Sequence, residues 1–242
     1  KNPITPETAL QFERVLGVPA SFWNNLEKNY RQVLARLAEE KSLEFETQRL
    51  NQLPVKQLIK AKCVECCDNA VEQLKEVLSF YGVASPVELD TVVAKSVAYR
   101  QSAVYMTDPW IGAAWLRLGE IEAQNAQPPA FNFDKFKENL SKIRALTQKP
   151  LGTEVVKEWK NLCFEAGVVL VFVPEIAGLR VNGAAYWLKG RPVIQLSLRH
   201  KRADILWFSF FHEAGHILKH GKEIFIVYDN ADDAKEKEAD AF

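Results

Sequence analysis

The chain has 242 residues, enough for one or two domains with a sizeable core. Its composition is ordinary for a globular protein, 48% hydrophobic and 26% charged, and 31 basic residues balance 31 acidic ones, which leaves no global basic field to attract nucleic acid or a membrane surface. No apolar run approaches the roughly 20 residues of a membrane span, no segment reads as a signal peptide, and Cys63, Cys66, Cys67 and Cys163 fit a reducing, cytoplasmic setting better than a disulfide framework.

Thr5-Pro6-Glu7 predicts a helix start, with a capping hydroxyl, proline in the first turn and an acid beside it. Ala9, Phe12 and Leu16 form its apolar face and Gly17 its stop. Ser21 is then read as the cap of a longer helix facing inward through Trp23, Leu26, Tyr30, Val33 or Leu34, and Leu37, with a solvated end over 39–49. The helical period continues from about 55 to 149. Leu58, Ile59, Cys63, Cys67, Ala70, Leu74 and Leu78 fall on one face, which makes the cysteines core residues rather than a second metal site. Asp108-Pro109 starts a helix with Trp110, Ala114, Trp115, Leu118 and Ile121 inward, 125–133 is a loop, and Phe136, Leu140, Ile143 and Leu146 mark a helix ending before Pro150.

The pattern changes near residue 151. A helix capped by Thr153 and stopped at Gly167 leads into a buried strand, 168–173. Runs 179–188 and 192–198 flank Lys189-Gly190 as a hairpin, and a helix from about Ala203 to His220 precedes a strand over 223–228. The fold class expected is α+β: helical at first, then a small mixed or antiparallel sheet packed on the helix that ends at His220. Lys1 is not Met and 236–242 read as a helix without a Gly or Asn cap, so both ends are expected to continue in a longer protein.

His212-Glu213-Ala214-Gly215-His216 is an HExxH sequence inside that helix. Histidines four apart lie about 6 Å apart along the axis on one face, where both can reach a zinc ion, and the glutamate after the first is placed as a general base. Sites of two histidines and one glutamate take the glutamate from a following helix. Glu236 lies 20 positions after His216, and Asp240 follows four later on the same face, an arrangement resembling the gluzincin clan, in which the aspartate orients a ligand histidine. Glu238 is the rival ligand, about 200° away round the helix, and a plain acidic surface helix is the alternative for the whole segment. His220 lies about 12 Å along the axis from His212, too far to share an ion, and suits a helix C-terminus instead.

From Val168 onward the chain resembles the ImmA/IrrE family of metallopeptidases. The matching elements are the strand 168–173, Gly183-Ala-Ala-Tyr-Trp187, Val193-Ile-Gln-Leu-Ser197, Phe210-Phe-His-Glu-Ala-Gly-His216 and Glu236-Lys-Glu-Ala-Asp240. Residues 2–23 resemble the end of a Cro/C1-type helix-turn-helix domain, as in HigA-like antitoxins, a family in which the DNA-reading helix lies just upstream. Three regions follow: 1–50, the remnant of that domain with a connecting helix; 51–150, a helical middle; and 151–242, the peptidase core. The resemblance implies an antirepressor protease with one zinc per chain, cutting a partner transcription repressor, with DNA contacted only through the upstream part of the longer protein and no membrane. The alternative is a regulator or antitoxin whose zinc domain only senses or binds. On the peptidase reading His212, His216 and Glu236 hold zinc, Glu213 is the base and Asp240 supports a ligand. Val193 to Ser197 form an edge strand pairing with extended substrate through Val193, Gln195 and Ser197. Tyr186 on the neighbouring strand is a further substrate candidate, and neither it nor Arg180 is assigned as oxyanion donor.

Overall fold

The computed structural model describes residues 2–98, 108–199, 202–220 and 225–228. It is a mixed α+β structure, and among the described residues every strand follows residue 168. None of its helices there is, singly, long and apolar enough to cross a membrane. The chain divides into two compact units, Lys1–Gln52 with Cys67–Lys75, and Leu53–Cys66 with Glu76–Phe242.

In the first unit, α1 (Pro6–Leu16) starts and stops as its sequence predicts. The Thr5 hydroxyl accepts the Thr8 N–H, Pro6 sits where no backbone donor is needed, and Gly17 takes a left-handed φ of 69°. Helix α2 (Ala20–Glu46) begins one residue before the expected cap. Ser21 lies inside its first turn, and the Glu13 carboxylate accepts the Ala20 N–H instead. At about 1.5 Å per residue, the 27 residues of α2 run far past the 11 of α1, so α1 covers only its start. Phe12 meets Trp23 there edge to face, with ring centroids 5.1 Å apart. The stripe expected to face inward further along, Leu26, Tyr30, Val33 and Leu37, is 45–55% exposed.

The helices after α2 are α3 (Val55–Lys60), α4 (Ala70–Tyr81), α5 (Leu89–Ala98), α6 (Pro109–Gln124), α7 (Phe133–Leu146) and α8 (Thr153–Glu165). The single apolar face expected from Leu58 to Leu78 is broken. The Cys63 N–H bonds to the Leu58 carbonyl and the Lys62 N–H to that of Ile59, a Schellman end with Lys62 left-handed at φ 58°. Cys63 and Cys67 are therefore half-buried and Cys66 exposed, in irregular chain rather than on a packed helix. Asp108 caps α6 by accepting the Trp110 N–H, as expected, and Asn132 caps α7 through the Lys135 N–H. Thr153 is the first residue of α8, with Gly152 in the cap position. Helix α6 packs on the sheet and α7 on α8, so no boundary between compact units falls at 150.

The sheet has the order β1-β3-β2-β4, with β1 (Val169–Val173) parallel to β3 (Arg191–Ser197), β2 (Val181–Leu188) antiparallel to β3, and β4 (Phe225–Tyr228) antiparallel to β2. Lys189 and Gly190, both left-handed at φ 50° and 79°, make the β2–β3 turn as the sequence predicts. Alternation along the strands sorts the two faces. Leu170, Ala185, Ile194 and Leu196 join the core with α7, α8 and α9 (Ala203–His220), while Gln195 points to α6 on the other side. Strand β3 is bonded on both sides, so it is an interior strand. The expectation of an edge strand at Val193 to Ser197 is corrected: its backbone donors and acceptors are committed to β1 and β2.

Candidate metal centre

At about 100° per residue, Leu206, Trp207, Phe210, Ala214 and Ile217 share one side of α9, and all are buried in the core. Trp207 stacks on Trp159 with centroids 3.9 Å apart, and Phe210 meets the same indole edge-on at 4.9 Å. This aromatic packing fixes the rotation of the helix. It thereby directs a second stripe, Ile205, Ser209, His212 and His216, away from the core cluster.

His212 and His216, one turn apart, bring their Nε2 atoms to 3.0 Å with both rings buried. Two nitrogens each about 2.0–2.1 Å from one tetrahedral ion stand about 3.3 Å apart, so the pair suits a shared zinc with little adjustment. The chemistry of the donors agrees: neutral imidazoles are borderline ligands that zinc accepts readily. Phe208, one turn before His212 and exposed, lies with its ring 6.0 Å from that imidazole. Among the described residues no group of three or more His, Cys, Asp or Glu side chains is placed to hold a metal.

Glu213 turns about 100° from His212, toward the sheet, and is fully buried. Its carboxylate lies against Gly183 of β2: a Cβ there would stand 2.7 Å from Oε1 and 3.0 Å from Cγ. Removing a carboxylate from water costs several kcal/mol unless the site compensates. His212, Glu213 and His216 thus place three ionisable side chains within about one buried turn of α9.

The remaining sequence candidates divide. Glu236, its rival Glu238, and Asp240 lie outside the described residues, as does the side chain of His220. Val193, Gln195 and Tyr186 are buried on the α6 face of the sheet, so a role in touching substrate is corrected for all three. The Tyr186 hydroxyl donates to Gln195 Oε1 at 3.0 Å, and Gln195 Nε2 donates to the Trp115 carbonyl at 2.7 Å, which ties sheet to helix. Burial also pushes the Tyr186 phenol well above its ordinary range. Ser197, at the end of β3, remains half-exposed. Sequence reasoning assigned no role to Gly183 or Ser209. A glycine inside a strand, which weakens the strand unless something must come close, was the available signal for the first. No known protein family, curated protein or solved structure matches the chain.

Proposed function

We propose that the chain is a zinc-dependent endopeptidase that cuts a partner transcription regulator in a mobile-element, stress or toxin–antitoxin switch. The observation that carries the reading is the 3.0 Å convergence of the His212 and His216 Nε2 atoms, with Glu213 buried beside them on the same turn. The packing of α9, which carries both histidines, against β2, β3 and β4 of a small mixed sheet supports a metallopeptidase core. The resemblance to the ImmA/IrrE family supplies the substrate class, with Glu236 as third ligand and Asp240 as its support.

In this reading His212, His216 and Glu236 would hold the ion. A bound zinc supplies Lewis acidity, lowering the pKa of water toward about 7 and polarising the scissile carbonyl. Glu213 accepts the proton of the attacking water and delivers it to the leaving amine. The backbone of β2 at Gly183 limits where the Glu213 carboxylate can sit, so the base is positioned before substrate arrives. Asp240 orients a ligand imidazole.

The second reading, a regulator whose metal domain only binds, is favoured by one observation. His212 is 4% and His216 0% exposed, whereas a catalytic ion needs one open position. The two readings part on one experiment: cleavage of the regulator encoded beside this protein, compared for wild type and Glu213→Gln at equal zinc content.

A further inference from the structure

We propose that a cavity between the end of α4, α5 and α6 binds a free α-amino acid with an apolar side chain. Its lining lies wholly within the second unit and includes no residue of α9, so the site is separate from the histidine pair and independent of the peptidase reading. The cavity encloses about 440 Å³, inside the range of about 300–1,000 Å³ typical of small-molecule sites. Its walls are of two kinds. Val83, Val92, Ala113 and Leu116 supply apolar surface, while Glu88, Arg117 and Glu120 supply formal charges.

The charges decide the class of ligand. Arg117 of α6 is fixed by two hydrogen bonds: Nε donates to the Phe80 carbonyl at 2.8 Å, and Nη1 donates to Glu120 Oε2 at 3.0 Å. Its Nη2 lies over Gly82, where a Cβ would stand 2.8 Å away, so the glycine that ends α4 at φ 70° also makes room for the guanidinium. Among the described residues Nη2 has no acceptor, although the side chain is only 20% exposed. A guanidinium held in this way presents its remaining N–H groups to a carboxylate. Two acids stand around it. Glu120 engages one oxygen with Arg117, and Glu88 one with the Ala84 N–H at 3.1 Å, while the second oxygen of each has no donor among the described residues. A simple anion would meet two carboxylates here, and a simple cation would meet the guanidinium. A zwitterion satisfies both, with its carboxylate on Arg117 Nη2 and its ammonium on the open oxygens of Glu88 and Glu120. The apolar walls then receive the side chain.

The test is isothermal titration calorimetry of the zinc-loaded full chain with L-leucine, L-methionine and L-phenylalanine. Leucinamide and N-acetylleucine, each lacking one of the two charges, are titrated beside them, as are inorganic phosphate and putrescine. At least one of the three amino acids is expected to bind saturably, and removing either charge should weaken binding at least about tenfold, the loss of one charge-assisted hydrogen bond. Val92→Trp, which fills the cavity from a half-buried position, should abolish binding. The double variant Glu88→Gln with Glu120→Gln keeps an acceptor for each existing hydrogen bond and should weaken binding by about tenfold. Amino acids also chelate zinc, so His212→Ala serves as the control and should bind as wild type does. Loss of binding in His212→Ala would place the amino acid on the metal and overturn the inference. Equal affinity for either single-charge analogue would overturn it too, as would binding that both cavity variants leave unchanged. Saturable phosphate or putrescine in place of the amino acids would assign a ligand of one charge, and no saturable binding of any amino acid probe rejects the site.

Discussion

Gly183 and Glu213 meet with no room for a side chain between them. A Cβ on Gly183 would lie 2.7 Å from the Glu213 Oε1 atom, closer than carbon and oxygen tolerate. Strand β2 is thereby a hard stop for the proposed base. Gly183→Ala is expected to lower kcat by about tenfold to a hundredfold through a displaced carboxylate, with KM and zinc content nearly unchanged. Overpacking should also remove about 1–3 kcal/mol of stability. Steady-state kinetics beside a denaturant titration separates the two effects. Wild-type kcat in a destabilised variant would show that Glu213 accommodates the methyl without consequence.

The proposed zinc site rests on three side chains, of which His212 and His216 converge in the structure. Substituting His212, His216 or Glu236 by Ala is expected to empty a site that binds one zinc per chain. His220→Ala and Glu238→Ala should retain it. Inductively coupled plasma mass spectrometry of purified variants decides the set, and full occupancy in Glu236→Ala would move the third ligand elsewhere.

Gln195 is now expected to matter for stability rather than for substrate. Gln195→Ala leaves the Trp115 carbonyl and the Tyr186 hydroxyl without their buried partner, at about 1–3 kcal/mol for each unsatisfied group. Gly119→Ala should act at the same place, since a Cβ there would overlap the Gln195 amide. Both variants should keep zinc and KM. A raised KM at unchanged stability in Gln195→Ala would return this residue to the substrate site.

What the sequence made legible was local. Thr5-Pro6, Asp108-Pro109 and Lys189-Gly190 each carry their own stereochemical instruction within a few residues, and each element starts or turns where those residues require. The His212–His216 pair is local too, a consequence of helical pitch. Features set at long range were not legible. The interior place of β3 depends on β1 returning beside it in parallel, and the role of Gln195 depends on a carbonyl 80 positions away. Ile121 shows the same limit: it continues an apolar period, yet it is 39% exposed because the sheet packs on the side of α6 that carries Trp115 and Gly119. At Lys62 the helix ends as glycine ends it at Gly82 and Gly167, in the left-handed region, but with a residue whose type does not announce the stop.

The cysteines should differ in reactivity. Burial pushes the Cys63 thiol up to about 11, whereas Cys66 is exposed. At pH 8 only about one Cys63 in a thousand is a thiolate, so iodoacetamide should label Cys66 well ahead of Cys63, read by peptide mass spectrometry. The linkage has a definite sign. The folded thiol holds its proton above the ordinary value near 9, so Cys63 leaves stability level below about pH 9 and lowers it as pH rises toward 11. Cys63→Ser should flatten that part of the profile, and an unchanged slope would assign it to other groups.

The central claim is that Glu213 takes a proton in a peptide-cutting reaction. Glutamine matches glutamate in shape and cannot act as the base, so the substitution separates chemistry from fold and metal. General-base catalysis contributes about 10²–10⁴-fold, so the loss should be large. The measurement is intact mass and gel analysis of the transcription regulator encoded beside this protein, after incubation with wild type or Glu213→Gln at matched zinc content. The account predicts a discrete cut by wild type and a rate at least a hundredfold lower for Glu213→Gln. An uncut regulator whose DNA binding both proteins alter equally would contradict it.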